Sequence, residues 1–134
     1  MRRLAGLIGA ALLSAFGLIF AFDRLGRSWE ARVAVKGHSM HPTLIDGDWL
    51  LVDPGAYRGR APRVGELVVA RDPRDERRIV VKRLTAVGPD GRLSIAGDHP
   101  AHTDEGASIG EVGQTAIVGR PWFRYWPLDR FGRI

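Results

Sequence analysis

Arg78-Ile79-Val80-Val81-Lys82-Arg83-Leu84 decides how the chain is to be read. In an extended backbone successive side chains point to opposite faces, so Val80, Lys82 and Leu84 share one side and Ile79, Val81 and Arg83 the other. The Val/Ile content predicts a strand over Arg78–Val87, and Gly88-Pro89-Asp90-Gly91 after it reads as a hairpin turn. Working outward, further short strands are predicted at Ala31–Lys36, Asp48–Asp53, Gly65–Arg71 and Arg92–Ala96, and near Thr115–Val118. Turn signals such as Asp46-Gly47-Asp48 and Asp53-Pro54-Gly55 separate them. The chain of 134 residues has room for one modest domain and an appendage. The reading is a single small domain over residues 31–134, mainly β, with no internal repeat and no Gly-rich phosphate loop.

The appendage lies at the amino terminus. From Leu4 to Phe22 there are 19 residues without a charge. As a helix rising about 1.5 Å per residue they reach roughly 28 Å, close to the hydrocarbon thickness of a bilayer. The expectation is one transmembrane anchor over residues 4–22 of an N-terminal region 1–22, then a polar link over 23–30. A cleaved signal peptide fits less well: the apolar run exceeds the usual roughly 7–15 residues and no A-x-A site follows. Arg2 and Arg3 before the run are matched by Arg24, Arg27 and Arg32 after it, so charge alone assigns no orientation.

Composition narrows the chemistry. With no cysteine, thiol nucleophiles, disulfides and thiolate metal sites are excluded, and any nucleophile is oxygen or nitrogen. The formal net charge is +5, and all but two of the 20 basic residues are Arg, the exceptions being Lys36 and Lys82. A lysine can shed its proton where an arginine cannot, which draws attention to both. The excess of Arg suits phosphates or an anionic lipid surface. Pro121-Trp122-Phe123-Arg124-Tyr125-Trp126-Pro127 packs four aromatics around an Arg, yet RNA-binding signatures are missing, so no nucleic-acid partner is expected. These rings are read as core and lipid-interface residues instead. The four histidines form two i, i+3 pairs, His38/His41 and His99/His102, outside any helical H-E-x-x-H context. No metal and no cofactor are expected.

Ser39 lies in Val35-Lys36-Gly37-His38-Ser39-Met40-His41-Pro42-Thr43-Leu44, between Gly37 and Pro42, which favour a tight, shaped turn. By itself such a serine is most often a turn or helix cap, and a lone strand lysine most often reaches for water. A lysine on an apolar face also loses solvation of its charge. Its amine then becomes a competent base for a serine hydroxyl within reach.

Together, V-x-G-x-S-M-x-P-T-L (Val35 to Leu44), Gly47-Asp48, V-V-K-R (Val80 to Arg83) and Gly97-Asp98 resemble the type I signal peptidases, membrane-anchored Ser/Lys endopeptidases. The resemblance implies a β-rich catalytic domain behind one transmembrane helix, with Ser39 as nucleophile and Lys82 as general base. It implies an oxyanion site at the Ser39 backbone N–H, with Gly37 where some relatives carry a second, hydroxyl donor. Thr103 falls where the family orients its lysine. Met40 is implied to lie near a substrate pocket, and Pro42, Gly97 and Asp98 to brace the active-site loop. Substrates would be exported preproteins, bound as an added β-strand with small side chains in shallow pockets. The enzyme would be a monomer in the cell membrane, with its domain extracytoplasmic. Two departures stand out: His99 follows Gly97-Asp98 where the family has Asn, and Glu105-Gly106-Ala107 replaces D-S-R. They leave room for a dedicated maturation peptidase for one precursor, such as that of nickel-type superoxide dismutase. They also leave room for a catalytically silent, membrane-tethered binding module.

Overall fold

The computed structural model describes residues 2–99, 101 and 110–134, with side chains from residue 15 onward. Helix α1 (Arg2–Glu30) precedes eight strands: β1 (Val33–Ala34), β2 (Trp49–Asp53), β3 (Leu67–Asp72), β4 (Asp75–Val87), β5 (Leu93–Ala96), β6 (Gly110–Val112), β7 (Ile117–Trp126) and β8 (Gly132–Arg133). All pairings are antiparallel, in the order β1-β2-β7-β3-β4-β5-β6, with β8 beside β7.

Strand β4 behaves as its alternation dictates. Val80, Lys82 and Leu84 are buried at 9%, 4% and 0% exposure, and Val81 at 8% serves the opposite face. The faces feed two cores. Val81 packs with Val35, Met40, Leu44, Leu50, Val52, Leu67 and Val69, while Val80 and Leu84 pack with Val68, Ala70, Leu93, Ile95 and Val112. The seam of a strand contributing to both cores is where Lys82 sits.

Strand β7 is longer than the segment predicted near Thr115–Val118, because Pro121 does not end it. Pro121 is buried opposite Val52, at a register shift between Leu51 and Val52 that absorbs the missing N–H. One half of β7 therefore pairs with β3 through Ile117 and Gly119, and the other with β2 from Arg120 to Trp126, joining the two halves of the sheet. Its aromatics carry the helix. Ser28, fully buried, accepts a hydrogen bond from Trp122 Nε1 at 3.1 Å, Arg24 lies over the Trp122 ring, and Trp29 packs on Tyr125. Trp29, Arg32, Trp49, Tyr125 and Trp126 line an open cleft of about 390 Å³ at this corner.

The segment 23–30, expected as a link, is helical. No Pro interrupts it, and Asp23 pairs with Arg27 one turn on at 2.8 Å while Arg24 reaches Asp53 at 2.9 Å. Among the described residues no helix is long and apolar enough to cross a membrane, so the span expected at 4–22 is not found there. The side chains of residues 4–14 lie outside the described set. The rest of that run, including Phe16, Leu18, Ile19, Phe20 and Phe22, projects from the fold at 61–73% exposure.

Candidate active site

The turn carrying Ser39 is built from its flanks. Gly37 adopts φ +81°, a left-handed conformation that costs glycine little, and its N–H donates to Asp46 Oδ1 at 2.7 Å. His41 N–H to His38 O and Leu44 N–H to Met40 O, at 3.0 and 2.9 Å, close two successive turns, the first of which contains Ser39. Met40 and Leu44, 2% and 0% exposed, press this turn into the first core, leaving Ser39 half-buried. The Met40 side chain is thus part of the first core. Pro42 is exposed and follows a cis bond from His41.

Against this turn stands Lys82. Its Nζ lies 2.8 Å from Ser39 Oγ, although the two residues are 43 positions apart. Burial disfavours the ammonium and moves the lysine pKa below its ordinary value; the positive charge of Arg78 adds to this, and Asp72 and Asp98 oppose it. The pair is therefore a hydroxyl in hydrogen-bonding contact with a desolvated amine. Lys36, the other lysine, is exposed.

The segment after β5 holds the turn from the far side. His99 N–H donates to Ser39 O at 3.0 Å. Gly97 lies so close that a Cβ there would overlap the Ser39 carbonyl oxygen and stand 3.2 Å from Ser39 Cβ. Asp98 accepts from Arg83 Nε and Nη2, both at 2.7 Å, and from Thr43 Oγ1 at 2.6 Å. The Arg83 hydrogen bond holds the Asp98 carboxyl below the ordinary carboxylate range. Arg83 Nη1 also donates to Gly65 O at 2.6 Å, so the residue after the lysine ties three segments together. Arg83 and Thr43 stand inside the sequence motifs with no contact expected of either. The strand alternation sends Arg83 away from Lys82, and only the fold brings Asp98 to it.

A carboxyl lowered in the folded state stabilises the fold above its unfolded pKa, and that contribution is lost as pH falls through the lowered value. Urea unfolding below about pH 4 should accordingly show an acid-induced loss of stability that Asp98→Asn flattens. An unchanged slope in the variant would deny Asp98 this part.

Thr103, with Glu105-Gly106-Ala107 and His102, lies outside the described residues. The His41 and His99 rings approach edge to face at 5.9 Å, and His38 is exposed. Among the described residues no three metal-ligating side chains come together.

Comparison with known proteins bears on this geometry. Residues 5–99 match the family described as signal peptidase, peptidase S26. A mitochondrial ATP-independent inner membrane protease subunit 1a of Arabidopsis thaliana is 29% identical, over 75% of this chain and 73% of its own. A mitochondrial inner membrane protease subunit 2 of Danio rerio is 28% identical over 87% and 73%, respectively. A probable signal peptidase I-1 of Synechocystis sp. is 23% identical over 75% and 73%.

Proposed function

The chain belongs to the signal peptidase family, peptidase S26, and on that premise we propose that it is a membrane-attached serine endopeptidase that removes signal or leader peptides from exported preproteins with Ser39 and Lys82 as its dyad. One observation carries the reading: the amine of a lysine only 4% exposed stands 2.8 Å from a serine hydroxyl. A buried lysine with a depressed pKa can be neutral and accept the proton, which an arginine cannot.

The chemistry follows from that contact. With Lys82 neutral, Ser39 Oγ–H donates to Nζ, and Oγ attacks the scissile carbonyl as the proton passes to the amine. The backbone N–H of Ser39 faces the developing oxyanion. Gly37 brings no hydroxyl there, and its own N–H is already committed to Asp46. Collapse of the tetrahedral intermediate expels the new amine, which takes the proton from Lys82, and leaves an ester on Ser39. Water, deprotonated by Lys82, then hydrolyses the ester.

Two of the named relatives are inner membrane proteases, which supports a membrane location. Attachment through α1, with the catalytic domain on the extracytoplasmic side, is part of the proposal. The exposed apolar residues from Phe16 to Phe22 and the aromatic corner at the end of that helix support the attachment. The detergent-solubilised protein should cut several preproteins after their leaders when the products are mapped by mass spectrometry. Cleavage of a single precursor would favour a dedicated maturase. No cleavage by well-folded protein would favour a silent binding module. Protease added outside intact cells should reach the β domain, and full protection would refute the assigned side.

A further inference from the structure

Behind the Ser39 turn lies a second ionic cluster that the dyad chemistry does not use. Asp48 is fully buried, and its Oδ2 accepts from Ile45 N–H at 3.0 Å and from Arg124 Nη1 and Arg130 Nη2, each at 3.2 Å. The same two guanidinium groups donate to the Thr43 carbonyl, Nη1 of Arg124 at 3.5 Å and Nη2 of Arg130 at 3.4 Å. Arg124 stands in β7 opposite Leu50, and Arg130 ends the short 3-10 helix Leu128–Arg130 beyond it. Thr43 is the junction: its carbonyl faces these arginines while its hydroxyl donates to Asp98, the partner of Arg83. The exit of the nucleophile turn is thus gripped from the lysine strand on one side and from the C-terminal segment on the other.

We propose that Arg124 and Arg130 are positioning residues, which hold the Ser39 turn against Lys82 by clamping Asp48 and the Thr43 carbonyl. The inference rests on the reading of Ser39 and Lys82 as the dyad. Its physical basis is desolvation. The Arg124 and Arg130 side chains are 15% and 27% exposed beside a carboxylate at 0%, so their charge-assisted hydrogen bonds are weakly screened and resist displacement by water. Ser39 lies four residues before Thr43 in the same turn, and a slackened exit lets Oγ drift and water reach the amine. The cluster also has a built-in redundancy. Removing Arg130 leaves Asp48 paired with Arg124, whereas removing Asp48 leaves two cations without their carboxylate and endangers folding. Arg130 is therefore the residue to change.

The chain's two lysines make a direct readout available, because lysine labelled with carbon-13 yields only the Lys36 and Lys82 signals. In Arg130→Ala and Arg130→Gln the Lys82 titration midpoint should move up by about 0.5 pH unit or more as the amine is rehydrated, with Lys36 unmoved. On a preprotein substrate, kcat should fall about 10- to 100-fold while KM stays within about twofold, the pattern of misplacement and not of lost binding. Arg130→Lys, which returns one cationic donor, should recover part of both effects. An unmoved Lys82 midpoint in both variants, or a loss of activity that only tracks the folded fraction, would overturn the clamp. If the wild type cleaves no preprotein, the peptidase reading fails by itself, and the lysine titration still decides the clamp.

Discussion

Replacing Lys82 by alanine, methionine or arginine should lower kcat/KM on a preprotein by about 100- to 10,000-fold, the range attributed to a positioned general base. Arginine is the informative substitution. It keeps the positive charge and much of the length, yet a guanidinium does not give up its proton near neutral pH. Lys82→Met keeps the apolar stem in a site that already disfavours charge, so its melting temperature should equal or exceed that of the wild type. Loss of activity with retained stability separates a chemical role from a packing one. Ser39→Ala should be at least as inactive, and the two changes together should cost little more than either alone, since both remove the same step. In the wild type, the rate should rise with pH as Lys82 loses its proton, with a midpoint below the ordinary lysine value because burial stabilises the neutral amine. Wild-type turnover in Lys82→Arg would sink the dyad.

Gly97→Ala should be nearly as damaging, for a steric reason. The added Cβ would overlap the Ser39 carbonyl oxygen and stand 3.2 Å from both the carbonyl carbon and Cβ of Ser39. These neighbours belong to Ser39 itself, two of them backbone atoms, so no flexible side-chain end exists to swing away. The His99 N–H bond to Ser39 O pins the same contact. Relief requires the turn to retreat, which stretches the 2.8 Å Ser39–Lys82 contact. A shift of about 1 Å can cost about 100-fold in rate, and overpacking of this kind typically costs about 1–3 kcal/mol of stability. Gly59→Ala is the matched control, since a Cβ there meets nothing within 4 Å. It should leave both activity and unfolding midpoint close to wild type. Equal behaviour of the two variants would show that the Gly97 approach does not govern the site.

Legibility in the sequence followed the range of the interaction. The alternation in Arg78–Leu84 depends on backbone geometry alone, and β4 buries Val80, Lys82 and Leu84 accordingly. The breakers around residues 46–48 and 88–91 act locally too, and β2 begins and β4 ends beside them. Strand β7 defeated local reasoning because Pro121 is a strand breaker in isolation; only opposition to an irregular stretch of β2 makes it acceptable. Strands β6 and β8, three and two residues long, carry too little pattern to be read without their partners. The helix through residues 23–30 is likewise settled by what it docks on, through Arg24 with Asp53 and Ser28 with Trp122.

The site divides the same way. The serine block and the V-V-K-R block are contiguous motifs, so their family resemblance was visible from residue order, and the chain matches that family over residues 5–99. The second glycine-aspartate pair was visible as well, without its function in the fold: Gly97 as a contact surface for Ser39 and Asp98 as the acceptor for Arg83 and Thr43. The Met40 side chain, in the same motif, turns inward because its neighbours in space are Val35, Leu44 and the first core. Asp48 belongs to the Gly47-Asp48 motif, but its pairing has no local signature, since its arginines stand 76 and 82 residues away among many others. By itself, then, the order of residues determined the strand periods, the turns and the two short blocks that carry Ser39 and Lys82, because those depend on covalent neighbours and backbone geometry. The tertiary structure alone decided which of the many arginines face a carboxylate, which glycine touches Ser39, and that a buried lysine meets a hydroxyl at 2.8 Å. Those are distances between segments remote in the chain, fixed by packing and desolvation.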